Sequence, residues 1–157
     1  MRSKILMAGM ILGLFAAVNT SYAVDKTPKG YSAVIDNFID GYMTGDYKKL
    51  DKILSDDASI KIPRADAVLV HSRDNMLEQM KKAGNTNQNC ESKYEVLDKS
   101  EAMIVAKVDF KYAEFTQHNY IVLEKNDNKE WKITQVCKFF EDAKVYKQAP
   151  TNVTASN

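Results

Sequence analysis

The spacing of apolar residues changes period once along this chain, and that change restricts the folds open to it. Between Tyr31 and Met80 apolar side chains recur at intervals of three and four; from Cys90 onward they recur at intervals of two. The first rhythm places one stripe on a helix, and the second places one face on a strand. Helices first and strands afterwards predict an α+β domain, not an alternating α/β one.

Tyr31, Val34, Ile35, Phe38, Ile39 and Tyr42 line one side of a first helix, opposite Asp36, Asn37 and Asp40. Thr27 and Pro28 suit its start, and Gly45 suits a left-handed position past its end. Asp46 caps a second helix carrying Tyr47, Leu50, Ile53 and Leu54, and Ser55-Asp56-Asp57 reads as a turn. A hairpin follows, Ser59 to Ile62 and Ala67 to His71, around Pro63 to Asp66. Ser72 caps a third helix with Met76, Leu77 and Met80 on its buried side, and Gly84 ends it. Beyond Cys90, four alternating segments with short turns predict an antiparallel meander, the last marked by Trp131, Ile133, Cys137 and Phe139.

The ends carry different information. Arg2 and Lys4 precede an uncharged apolar run from Ile5 to Val18, and Ser21-Tyr22-Ala23 supplies small residues where a signal peptidase reads. Residues 1–23 are therefore expected to be a signal peptide. The apolar run falls short of the ~20 residues that span a bilayer. The expectation is export to a periplasm or the medium, with no membrane attachment after cleavage. Residues 24–30 read as a leader, 31–146 as the domain, and 147–157 as a disordered polar tail. With 22 Lys+Arg against 21 Asp+Glu, bulk charge points to no nucleic-acid partner.

The run Phe38-Ile39-Asp40-Gly41-Tyr42-Met43-Thr44-Gly45-Asp46-Tyr47-Lys48-Lys49-Leu50, with the later Lys129-Glu130-Trp131-Lys132-Ile133, resembles the nuclear transport factor 2-like superfamily. The nearest likeness is to its lumazine-binding and SnoaL-like small bacterial proteins. The resemblance implies three N-terminal helices packed on a strongly curved antiparallel sheet that forms a cone (a cystatin-like fold). It also implies a small organic ligand, in keeping with the family label a flat heterocycle, and a homodimer formed through the sheet face. Fold membership alone does not specify an activity. The superfamily's ketosteroid isomerases need a carboxylate base and two acid donors. Those positions fall on Ile62, on Phe38 and near Asn119; neither Ile62 nor Phe38 can exchange a proton, so that chemistry is excluded.

Inward-facing candidates are Phe38, Tyr42, Ile62, Tyr94, Tyr112, Gln117, Asn119 and Gln135. Phe38 and Ile62 read as core packing. Tyr42, Tyr94, Tyr112, Gln117, Asn119 and Gln135 are the candidate ligand-binding set, because buried amides and phenols need partners. Strand parity decides the rest. If Phe115, Ile121 and Leu123 face the helices, Gln117 and Asn119 join them, and His118 and Tyr120 point away. The opposite parity brings His118, and with it Asp109, into the pocket as acid–base groups of a dehydratase- or cyclase-like enzyme. The far sheet face, with Thr116, His118, Tyr120, Val122, Thr134, Val136 and Phe140, suits a dimer contact or a protein-interaction domain.

No cofactor is implied, and neither the two histidines nor the two cysteines have metal-ligand spacing. Cys90 and Cys137 are both expected on the apolar parity of their strands. In a plain meander two strands separate them, roughly 14 Å at ~4.8 Å per strand, against a limit of ~7 Å for a disulfide. Pairing and two free thiols both stay open.

Overall fold

The computed structural model describes residues 30–143. The expected signal peptide, most of the leader, the Thr27-Pro28 helix start and the tail from 147 lie outside the described residues. Helix α1 (Tyr31–Thr44) begins directly after Gly30 and buries Val34, Ile35 and Phe38. Gly45 adopts φ 67°, ψ 20°, the left-handed conformation that ends a helix at no steric cost for glycine. The Asp46 carboxylate then accepts from the N–H groups of Lys48 and Lys49, starting α2 (Tyr47–Ile53). Helix α3 (Arg73–Ala83) begins where the Ser72 hydroxyl accepts from Asn75 N–H, and stops at Gly84.

Six strands complete the domain: β1 (Leu54–Arg64), β2 (Ala67–Ser72), β3 (Glu91–Lys99), β4 (Met103–Lys111), β5 (Phe115–Lys125) and β6 (Trp131–Asp142). They form one sheet in the order β2-β1-β6-β5-β4-β3. The meander is antiparallel as expected. The hairpin joins it with β1 parallel to β6, so the sheet is mixed. The Ser55-Asp57 stretch is not a turn. It is part of β1, where the register against β6 shifts between Leu54 and Ser59. Leu54 and Ala58 are buried on either side of the polar Ser55-Asp56-Asp57 triplet, and the irregular register there, not strand alternation, keeps Asp56 and Asp57 in solvent.

The helices cover one sheet face, and the core lies between the two layers. Phe38, Leu50, Phe110, Ile121, Leu123 and Ile133 are fully inaccessible to solvent. On β5, Gln117, Asn119, Ile121 and Leu123 are buried, whereas His118, Tyr120 and Val122 are not. The parity is thus the one that turns His118 away from the helices. Among the described residues, no helix is long and apolar enough to cross a membrane.

Candidate functional site

A cavity of about 230 Å³ opens on the helix side of the sheet. Tyr42 of α1, Met76, Gln79, Met80 and Ala83 of α3, Thr86 and Gln88 of the following loop, and Lys138 of β6 line it. The loop is held in place by the Gln88 N–H, which donates to the Met43 carbonyl at 2.7 Å.

Behind the cavity wall at Tyr42 runs a one-way hydrogen-bond relay. The Val108 carbonyl can only accept, so it receives the Asn119 amide N–H (3.2 Å) and fixes how that amide points. The Asn119 oxygen then accepts from Gln117 (2.8 Å), and the Gln117 oxygen accepts from the Tyr42 hydroxyl (2.8 Å). Both amides are buried and satisfy each other. The Tyr42 proton is committed inward, and the Tyr112 hydroxyl lies within hydrogen-bonding reach of the Tyr42 oxygen. Burial pushes the Tyr42 phenol above the ordinary tyrosine range, outweighing the bond to Gln117. Behind it the Tyr112 hydroxyl donates to the Gln88 side-chain oxygen at 3.1 Å. Burial, then the nearby Tyr42 and Cys90, raise the Tyr112 pKa as well. Tyr42, Tyr112, Gln117 and Asn119 are thus neighbours on the helix side, and of the four Tyr42 alone lines the cavity.

Gln135 does not join them, and a residue outside the expected set takes its place. The pairing of β6 with β5 slips between Val122 and Leu123, so that Ile133 faces Leu123 while Gln135 faces Val122. This β-bulge adds one residue to β6 and reverses every side chain after it. Val136, expected on the far face, is fully buried in the core. Phe140 moves with it and packs near Phe115, ring centroids 6.1 Å apart. Gln135 and Cys137 go to the open face, where Gln135 accepts from the Lys61 ammonium at 2.7 Å. Lys138 turns toward the helices, its Nζ 5.0 Å from the centre of the Tyr42 ring. Surrounding protein lowers its pKa to about 8 by desolvation alone. The signal for this was the three-residue step from Ile133 to Val136, which breaks the two-residue period.

Tyr94 has the expected parity, but on the edge strand β3 it is 40% exposed and does not line the cavity. His118 and Asp109 meet on the open face. His118 Nδ1 lies 2.7 Å from Asp109 Oδ1, and Nε2 lies 3.2 Å from Glu141 Oε2. Burial raises the Asp109 pKa, but His118 and Lys107 together outweigh it and hold the carboxyl below its ordinary range. The two carboxylates sit on opposite edges of the imidazole and do not converge on a common point. Among the described residues, no group of three or more His, Cys, Asp or Glu is arranged to hold a metal ion. A groove of about 390 Å³ runs beside this cluster. Two of its lysines, Lys93 and Lys107, are already paired with Asp109. The cysteines are free thiols on different sides of the sheet: Cys90 lies 3.3 Å from Met43 Sδ and packs against the core, while Cys137 lies beside Gln135.

Residues 27–141 match the family described as putative lumazine-binding. No curated protein matches the chain. Among solved structures it is similar to an NTF-2 like protein of unknown function from Silicibacter pomeroyi, with a TM-score of 0.60 and 14% identity, covering 70% of this chain and 92% of that one. A protein of similar description from Shewanella baltica has a TM-score of 0.59 and 14% identity, covering 71% and 91%. A cystatin-like fold protein from Burkholderia xenovorans has a TM-score of 0.57 and 8% identity, covering 71% and 89%. These likenesses agree with the three-helix, six-strand architecture.

Proposed function

The chain belongs to the putative lumazine-binding family, and from that premise we propose an exported, non-catalytic protein that binds a small, flat organic molecule. The observation that carries this reading is the helix-side cavity itself, walled by Tyr42, whose hydroxyl a fixed amide relay holds in one orientation. Apolar Met76 and Met80 suit the faces of a planar group, and a few fixed polar atoms suit its edge. The placement of His118 and Asp109 on the open face favours binding over a dehydratase- or cyclase-like reaction, since the expected acid–base pair lies away from the cavity. The apolar run before Ala23 supports export. The exposed Tyr120 and Phe139 rings support a homodimer through the open face.

Native mass spectrometry of protein recovered from the exported fraction tests the proposal. The expected result is a mature chain beginning after Ala23 with a co-purifying small molecule, absent from a Met80→Trp variant that fills the cavity. A bound molecule that persists in that variant would place the ligand elsewhere.

A further inference from the structure

The cavity has an unbalanced set of polar groups. Its lining includes no carboxylate. The Lys138 ammonium faces it with no hydrogen-bond acceptor or anion among the described residues; its one recorded contact is the Tyr42 ring face. Gln88 uses its side-chain oxygen to accept from Tyr112, which leaves its amide N–H groups for the cavity. A cation crowded by protein and without a counter-ion is costly, and a bound anion removes that cost. Lys138 and Gln88 together offer one charged and one neutral donor, a pairing that suits the two oxygens of a carboxylate. At about 230 Å³ the cavity lies below the usual ~300–1,000 Å³ of ligand sites, which limits the occupant to one or two rings.

We infer that the ligand is a small aromatic acid, with its ionised oxygens on Lys138 and Gln88 and its ring against Met76 and Met80. This rests on the helix-side cavity being the binding site. The titration behaviour agrees with it. Besides Lys138 the cavity lining holds one ionisable group, Tyr42, with Tyr112 and Cys90 close behind it, and burial keeps both phenols neutral. An anion is therefore held best below pH 8, where Lys138 is charged. Above that its affinity falls about tenfold per pH unit, because binding must take up a proton.

Titration calorimetry with benzoate, 2-naphthoate and their primary amides, against wild type and Lys138→Met, tests the inference. Each acid is expected to bind at least tenfold more tightly than its amide at pH 7. Lys138→Met is expected to weaken the acid at least tenfold and to abolish the preference for acid over amide. Equal binding of acid and amide, or an acid preference that survives Lys138→Met, overturns the inference while the cavity reading stands. Failure of all four probes also overturns it; the cavity reading falls with it only if native mass spectrometry finds no bound molecule.

Discussion

Lys138 faces the helix side of the sheet at a measurable expense in stability. An amine whose pKa drops from 10.5 to about 8 on folding loses protons that the unfolded chain retains. Between those pH values the unfolded state binds more protons, so stability rises with pH, by about 3 kcal/mol in all. Tyr42 and Tyr112 act in the opposite sense above pH 10. Their pKa values are raised on folding, so the unfolded chain ionises first and stability falls. Urea denaturation across pH 7 to 11 should therefore show a maximum between pH 9 and 10. Lys138→Met should remove the rise below that maximum and be more stable than wild type at pH 7. A flat profile in the wild type would mean that the ammonium is better solvated than its surroundings indicate. The gain in stability on losing Lys138 would be the signature of a residue kept for function.

At the scale of elements, the junction between α1 and α2 ties the fold to the site. Gly45 has positive φ, and a Cβ there would meet Thr86 N at 2.8 Å and Gly84 O at 3.1 Å, both backbone atoms. Gly45→Ala adds about 1–2 kcal/mol for the left-handed conformation and a clash with the loop that carries Gln88. A loss of roughly 2–4 kcal/mol in denaturant unfolding is expected, together with weaker ligand binding; a loss below 1 kcal/mol would show that the loop yields. This junction was legible in the sequence because caps are local: Gly45, Asp46 and Ser72 each act within one turn of the helix they end or begin. The polar relay was legible too, since Gln117 and Asn119 lie on a strand whose alternation is unbroken. Lys138 was not, because its direction depends on a bulge in the pairing of β6 with β5, where one extra residue reverses the facing with no turn residue to mark it. The same slip explains why Gln135, Cys137, Val136 and Phe140 all lie opposite to the face that alternation assigns them. The parallel contact of β1 with β6 was hidden for a related reason: it joins segments about 80 residues apart, and no local pattern encodes it.

At the scale of the whole molecule, the sheet separates two surfaces with different chemistry. The helix side holds the cavity, and the open side carries exposed apolar rings above a charged cluster. Tyr120 is 36% and Phe139 44% exposed, their rings meeting edge to face at 5.6 Å. Around them lie Lys107, over the Tyr120 ring, and the Asp109–His118–Glu141 chain. An apolar centre with a polar rim is the composition of a protein contact, and pairing two copies about a twofold axis would bury both copies of each ring. The mature protein should sediment as a dimer. In Tyr120→Lys/Phe139→Lys, removing about 1.5–3 kcal/mol of burial per ring and placing like charges across the axis should shift it to monomer. The occupancy of the cavity should not change, because neither residue reaches the helix side. The competing surface is the edge strand β2, where Val68, Leu69 and Val70 are 57%, 45% and 62% exposed beside an unpaired backbone. If the double variant remains a dimer, the contact is not on the open face. Val70→Lys on β2 then becomes the substitution that should separate the copies.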